Sequence, residues 1–181
     1  DIFSKIASEL SNKKIIGWFQ KSAEFGPRAL GNRSILTSPF PKEMKDILNK
    51  RVKFREEFRP FAPSILAEFT EEYFEIKQES PHMLIAVDVK KEKINEIPAV
   101  VHVDNTARVQ TVTEQNNPEF RKLLEQFFKI SQIPVLLNTS FNVKGQPIVN
   151  SPEDALDCFL STNIDILAIG RYFISKENQN N

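Results

Sequence analysis

The chain has 181 residues, of which 40% are hydrophobic and 27% are charged, and its 24 Lys and Arg residues are balanced by 24 Asp and Glu residues. This composition is typical of one globular domain, and zero net charge argues against a nucleic-acid coat protein or a membrane-surface protein, which would carry a global basic excess. The single cysteine excludes an internal disulfide framework, and with only two histidines it argues against a Cys/His metal site.

In the first half of the chain, apolar residues at helical spacing alternate with short β-branched runs, and prolines mark where helix cannot continue. The predicted elements are, in chain order, a helix over Ile2–Leu10, strands over Lys14–Phe19 and Ser34–Thr37, a helix over Lys42–Val52, an extended stretch over Phe61–Ala67 and a short acidic helix near Thr70–Phe74.

In the second half, β-branched runs predict strands, and two Pro-containing starts predict helices. The predicted elements are strands over Met83–Val89, Ala99–Val103 and Arg108–Val112, a helix from Asn117-Pro118, a strand over Pro134–Leu137, a helix from Ser151 to about Leu160 and strands over Ile164–Ile169 and Arg171–Ile174. This mixture predicts a single α/β (α+β) domain, with a twisted mixed sheet and flanking helices.

Charge is unevenly distributed along the chain. The stretch from Arg28 to Arg59 has nine basic and four acidic residues, a net charge of +5, whereas Pro60–Glu79 has one lysine and five glutamates, a net charge of −4. Within the basic stretch, the loop Glu24–Ser34 combines Gly26 and Gly31 with two arginines. Such a loop fits either a phosphate-binding loop or a Gly/Pro turn whose arginines pair with neighbouring acids.

The segment VKFREEFRPFAPS, residues 52–64, alternates cations with phenylalanines. Lys53, Arg55 and Arg59 fit phosphate ligands, but the residues by themselves favour a solvated run in which the arginines pair with nearby acids. In HVDNTARVQT, residues 102–111, a turn precedes Arg108, and His102 fits a structural residue better than a base or a ligand.

The segment LLNTSFNVKG, residues 136–145, changes abruptly from apolar to hydrogen-bonding residues. A strand that ends in Asn138, Ser140 and Asn142 delivers small polar groups to a cleft at its carboxyl end, or else forms an Asx or Ser/Thr turn. The chain has no Walker P-loop, dinucleotide fingerprint or nucleophile elbow. The residues by themselves therefore predict an anion-binding α/β domain.

Together, five motifs resemble the C-terminal domain of the NodU/CmcH carbamoyltransferases, and the resemblance runs from about Ile16 to Lys176. The motifs are EFGPRALGNRSIL, VKFREEFRPFAPS, HVDNTARVQTV, PVLLNTSFN and SPEDAL. The resemblance implies a YrdC-like fold that binds ATP, with Mg²⁺, and carbamoyl phosphate to form carbamoyl-adenylate. A separate N-terminal domain, with its own metal site, would then transfer the carbamoyl group to an acceptor hydroxyl.

Carried over to this chain, the resemblance implies catalytic roles for Lys53, Arg59 and Arg108. It implies substrate or nucleotide contacts by the same three residues and by Arg28, Asn138, Ser140 and Asn142, with Arg33 and Arg55 as ligands or supports and no metal ligand. Two alternatives stay open: a YrdC-like nucleic-acid-binding module, and a non-catalytic structural or regulatory domain.

Expectations about the ends and the location of the chain complete this interpretation. The chain opens on Asp1 and closes on a polar tail, residues 176–181, so residues 1–181 are expected to be one domain of a longer protein whose N-terminal transfer domain lies outside this sequence. No run approaches the ~18 apolar residues of a membrane span and no signal-peptide pattern is present, so a cytoplasmic location without membrane partners is predicted.

Overall fold

A computed structural model describes residues 1–54 and 59–176. The helices are α1 (Ile2–Ser11), α2 (Met44–Leu48), which continues as a π-helical turn over Asn49–Lys53, α3 (Thr70–Tyr73), α4 (Pro118–Ser131) and α5 (Pro152–Ser161). The strands are β1 (Ile16–Phe19), β2 (Arg33–Thr37), β3 (Ala62–Leu66), β4 (Ala86–Asp88), β5 (Thr106–Arg108), β6 (Gln110–Val112), β7 (Val135–Ser140), β8 (Ile166–Ile169) and β9 (Tyr172–Ser175).

Seven strands form one mixed sheet in the order β6-β3-β7-β2-β1-β8-β9, and β4 pairs with β5 in a separate two-stranded sheet. The pairs β1–β8 and β3–β6 are parallel, and the other neighbours in the large sheet are antiparallel. Consequently the carboxyl ends of β1, β7 and β8 lie at the same edge as the amino ends of β2, β3 and β6. The prediction of one mixed α/β domain with flanking helices is confirmed.

Alternating residues of the large sheet enter two separate hydrophobic clusters. On one face, Trp18, Leu36 and Leu136 belong to a cluster with the apolar faces of α1 and α4. On the other face, residues such as Ile35 and Leu137 belong to a larger cluster with α2, α5 and the two-stranded sheet. Because successive strand residues point to opposite faces, the central strands of this sheet are buried on both sides and are mostly apolar, with polar residues concentrated near one edge of the sheet.

Capping residues fix the starts of the longer helices. The Asn117 side chain accepts a hydrogen bond from the Phe120 amide at the start of α4. At the start of α5, Ser151 and Asp154 form a reciprocal capping box, with Pro152 at the first helical position between them. Each arrangement satisfies amides that lack a partner inside the helix, which explains why the sequence alone predicts both starts.

Four strand predictions differ from the structure. The strand predicted over Met83–Val89 is reduced to β4 (Ala86–Asp88), and Met83 has a φ of 54° that does not fit a strand. The strand predicted over Ala99–Val103 is wrong, because Pro98–Val100 forms a 3₁₀ turn in which the Ala99 amide donates to the Pro39 carbonyl. The strand predicted over Arg108–Val112 is split at Val109, whose carbonyl accepts from the Ser80 hydroxyl as the chain crosses between sheets. In contrast, β7 is longer than predicted, because Asn138, Thr139 and Ser140 pair with β2.

Two expectations fall outside the described residues. Arg55 lies there, as does the predicted polar tail beyond Lys176. Within residues 1–54 and 59–176, no helix is both long and apolar enough to cross a membrane.

Candidate anion-binding site

A cavity of about 210 Å³ lies at the shared edge of the large sheet, between the Gly-rich loop and the ends of β3, β5 and β7. Five of the residues expected at the site line it: Arg28, Arg59, Arg108, Asn138 and Ser140. They come from four separate sequence segments. The topology therefore brings together residues that lie up to 112 positions apart in the sequence.

The loop that bears Arg28 is held in place by the carboxylate of Glu24. One oxygen of Glu24 accepts hydrogen bonds from the backbone amides of Leu30, Asn32 and Arg33, at 2.8, 2.6 and 3.3 Å. The loop acid is thus bound to backbone amides instead of pairing with Arg28. Sequence reasoning gave Glu24 no role of its own, because hydrogen bonds to amides six to nine residues further along the chain leave no local pattern.

Arg33 is buried and makes no contact with the cavity. Its guanidinium donates to the carbonyls of Gln20 and Lys21, at 2.6 and 2.9 Å, and stacks on the Phe19 ring at 3.5 Å. Burial lowers the pKa of Arg33, and the nearby Glu24 carboxylate opposes this shift. Arg33 therefore ties β1 to β2 below the loop, in agreement with a supporting role.

Arg28 and Arg108 lie close enough to repel one another. Burial lowers the pKa of Arg108, and the positive charge of Arg28 lowers it further. The buried Nε atom of Arg108 has no hydrogen-bond partner among the described residues. Neighbouring guanidiniums without an acid are unfavourable by themselves, and a bound anion removes both the repulsion and the unpaired donor.

Lys53 meets Ser140 and Asn142 beside the cavity and does not line it. Its ammonium donates to the Ser140 carbonyl at 2.9 Å, the Asn142 carbonyl at 2.9 Å and the Asn142 side-chain oxygen at 2.7 Å, and lies 3.3 Å from the Ser140 hydroxyl. Only 4% of Lys53 is exposed. The lysine thus holds the end of β7, whose last residue does line the cavity.

A buried polar chain lies under the Gly-rich loop. The Ser64 hydroxyl donates to the Gln110 side-chain oxygen at 2.6 Å, and the Asn138 amide nitrogen lies 3.1 Å from the same oxygen. The Gln110 nitrogen donates to the Leu30 carbonyl at 2.9 Å. Sequence reasoning missed Ser64 and Gln110, although a polar residue at a buried position of an apolar strand was the signal available.

His102 is close enough to Arg108 for the arginine charge to affect the pKa of the histidine. The Thr106 hydroxyl donates its single proton to Asp104 at 2.8 Å, so it accepts from the His102 Nδ1 atom at 3.1 Å. Burial lowers the pKa of His102, Asp104 opposes this shift, and Arg108 and Lys45 add to it. Burial therefore favours the neutral ring, and the donor role of Thr106 towards Asp104 assigns the ring proton to Nδ1.

A larger cleft of about 520 Å³ adjoins the cavity and shares Pro27 and Arg28 with it. Its apolar lining includes Phe25 and Leu84, which are 106% and 79% exposed. Its polar lining includes the side-chain amides of Asn116 and Asn117 and the imidazole of His82. Exposed apolar surface beside a few amides is typical of a small-molecule site.

A family model described as the carbamoyltransferase C-terminus matches residues 7–176. The chain belongs to the carbamoyltransferase C-terminal family.

Relatives of this carbamoyltransferase C-terminal domain are longer proteins. Nodulation protein NolO of Bradyrhizobium diazoefficiens is 47% identical over 179 residues, which cover 97% of this chain and 33% of NolO. The 3'-hydroxymethylcephem-O-carbamoyltransferase of Streptomyces clavuligerus is 42% identical over 149 residues, covering 82% of this chain and 28% of that enzyme. The carbamoyltransferase C-terminal domain thus spans about a third or less of each of these two relatives.

Among solved structures, the domain is similar in fold to full-length HypF, determined in a phosphate- and nucleotide-bound form. The TM-score is 0.64 at 19% sequence identity, and the match covers 93% of this chain and 25% of HypF. At this identity the likeness extends to the fold alone.

Proposed function

We propose that this domain activates carbamoyl phosphate for an O-carbamoyltransferase. In this proposal, carbamoyl phosphate and ATP bind at the arginine cavity and the adjoining cleft. Water cleaves carbamoyl phosphate to carbamate and phosphate, and the carbamate oxygen then attacks the α-phosphorus of ATP, which forms carbamoyl-adenylate and releases pyrophosphate. A further part of a longer protein then transfers the carbamoyl group to an acceptor hydroxyl. Family membership and the carbamoyltransferase activity named for the cephem relative support carbamoyl transfer as the overall reaction.

The observation on which the proposal depends is the arginine set of the cavity. Arg28 and Arg59 are exposed, while Arg108 is partly buried with an unpaired Nε atom. Among the described residues, none of the three guanidiniums forms an ion pair with an acid. Guanidiniums bind phosphate oxygens in bidentate geometry and neutralise the charge that develops during phosphoryl transfer.

The adjoining cleft supports a nucleotide as the second ligand. Because the cleft and the cavity share Arg28, a nucleotide whose phosphates contact that arginine has room to place its base in the cleft lined by Phe25 and Leu84. An exposed aromatic ring offers a stacking surface for a purine, and the side-chain amides of Asn116 and Asn117 offer both donors and acceptors for its edge. This arrangement accommodates phosphates and base in neighbouring compartments.

The protein residues around the cavity do not fit a protein-held Mg²⁺ ion. Within residues 1–54 and 59–176, no group of three or more His, Cys, Asp or Glu side chains could hold a metal. The described cavity lining consists of cations, amides, hydroxyls and apolar groups, whereas Mg²⁺ is usually bound by carboxylates together with substrate phosphates. Any Mg²⁺ in the reaction would therefore arrive with the phosphates of ATP.

Two measurements test the proposal. Isothermal titration calorimetry gives the affinities for carbamoyl phosphate and for a non-hydrolysable ATP analogue, and exchange of labelled pyrophosphate into ATP reports adenylate formation. We expect exchange only when carbamoyl phosphate is present. We also expect Arg108→Met to weaken carbamoyl phosphate binding about 10- to 100-fold, the value of a charge-assisted hydrogen bond of about 1.5–3 kcal/mol.

Arg171→Met is the matched control, because Arg171 is exposed and stacks near Tyr172 away from the cavity. Equal affinities in the two variants would refute the site. If neither ligand bound the wild-type protein, the structural or regulatory interpretation would stand in its place. RNA binding that fell steeply with salt would instead favour the nucleic-acid interpretation.

A further inference from the structure

One residue that lines the cavity, Asn138, has a buried side-chain oxygen that no described group satisfies. Asn138 is 1% exposed and lines the cavity from β7. Its nitrogen lies 3.2 Å from the Ala29 carbonyl, 3.0 Å from the Ser64 hydroxyl and 3.1 Å from the Gln110 oxygen. Its oxygen is buried and has no partner within residues 1–54 and 59–176. A buried amide oxygen without a hydrogen-bond donor is energetically unfavourable, and most buried polar atoms in proteins have a partner.

The orientation of this amide is fixed by backbone carbonyls at both ends of the polar chain. Because the Leu30 carbonyl can only accept, Gln110 must turn its nitrogen towards it and its oxygen towards Asn138. The Ala29 carbonyl imposes the same constraint on Asn138. A flipped Asn138 amide would bring its oxygen against two other oxygens, so the oxygen must point away from the chain.

The donors and the acceptor of the cavity match a ligand that has an anionic group at one end and a hydrogen-bond donor at the other. Arg28, Arg59 and Arg108 supply donors and positive charge for an anionic group, whereas the Asn138 oxygen can only accept. A volume of about 210 Å³ corresponds to roughly seven water molecules, which suits a small acyl phosphate better than a whole nucleotide. Carbamoyl phosphate offers a phosphate and an N–H group in one such molecule.

We propose that the Asn138 side-chain oxygen accepts a hydrogen bond from the carbamoyl N–H group and thereby selects carbamoyl phosphate over acyl phosphates that lack this donor. The proposal rests on the function proposed above. Acetyl phosphate keeps the phosphate and the acyl carbonyl but has a methyl group in place of the amino group. When it binds, the Asn138 oxygen stays unpaired and desolvated, the situation in which hydrogen-bonding sites discriminate most strongly.

The test is the ratio of the affinities for carbamoyl phosphate and acetyl phosphate, measured by calorimetry with inorganic phosphate as a third ligand. Wild-type protein should prefer carbamoyl phosphate at least tenfold. Asn138→Leu should lower this ratio to about one while leaving the affinity for inorganic phosphate within about twofold. Asn138→Ser shortens the side chain, so that its oxygen no longer reaches the carbamoyl group, and changes the polarity less. This variant should have the same effect and replaces the leucine variant in the test if that variant does not fold. Asn163→Leu, at an exposed position remote from the cavity, should keep the wild-type ratio.

The outcomes separate this proposal from the function on which it rests. Equal wild-type affinities for the two acyl phosphates would overturn the role of Asn138 and leave the anion site intact. A preference that persisted in the folded Asn138 variants would overturn it as well. If wild-type protein bound none of the three ligands, the proposed function itself would fail, and with it the selectivity.

Discussion

Replacement of Lys53 by methionine tests whether this lysine stabilises the fold or binds phosphate directly. The sequence implies that Lys53 contacts phosphate, whereas in the structure its ammonium contacts Ser140 and Asn142. Methionine keeps most of the side-chain volume and removes the charge. The carbonyls at the end of β7 then lose their donor in a place where Lys53 itself is 4% exposed.

The size of the effect follows from these contacts. A hydrogen bond to a charged group contributes about 1.5–3 kcal/mol, and an ammonium has at most three protons to share among the four oxygens that Ser140 and Asn142 place around it. Removal of a buried charge and entry of water at the partly exposed Asn142 offset part of the loss. We therefore expect a decrease of about 3 kcal/mol in the free energy of unfolding, which lowers the Tm of a domain of this size by about 6–12 °C.

Thermal unfolding followed by circular dichroism measures this change, and Lys42→Met provides the control because Lys42 is exposed just before α2. In the same samples, carbamoyl phosphate binding should weaken only several-fold, because Lys53 acts on the cavity through Ser140. A Tm within about 2 °C of wild type together with complete loss of binding would refute this reasoning. Lys53 would then be a direct phosphate ligand.

Two further predictions concern the Gly-rich loop and the neighbouring histidine. Gly31→Ala should lower the free energy of unfolding in urea by about 2–4 kcal/mol, because Gly31 has a φ of +105° and an added Cβ would lie 2.3 Å from Phe120 Cδ1. Gly26→Ala, with a φ of +109° and no atom within 4 Å of its Cβ, should cost about 1 kcal/mol, and equal losses at the two glycines would contradict the packing argument. The prediction for His102 concerns the pH dependence of stability. The pKa of His102 is lowered in the folded protein, so as the pH falls the unfolded chain takes up the proton at a higher pH than the folded protein does. The stability contributed by the neutral ring is therefore fully present above the ordinary histidine pKa of about 6.5 and decreases as the pH falls below it. Urea titrations should therefore show wild type losing stability relative to His102→Gln as the pH falls from about 7.5 to 5.5, and parallel curves would contradict this assignment.

Local patterns in the sequence were sufficient for the long elements. Helical spacing and the caps at Asn117 and Ser151 determined α4 and α5, because a helix start depends on residues within one turn of it. Strand signals were weaker where partners lie far away in sequence. Pro98–Val100 forms a 3₁₀ turn because the Ala99 amide finds the distant Pro39 carbonyl, and no local pattern reports that contact.

The sequence by itself determined the composition of the site: a Gly-rich loop with Arg28, a basic segment and an Asn/Ser strand end in an order that resembles one family. Only the tertiary structure decided which of these groups face the cavity. It placed Arg108 beside Arg28, turned Lys53 towards Ser140 and left the Asn138 oxygen without a described partner. The physical reason is that residue type sets what a side chain can donate or accept, whereas its partner depends on long-range strand pairing and on burial.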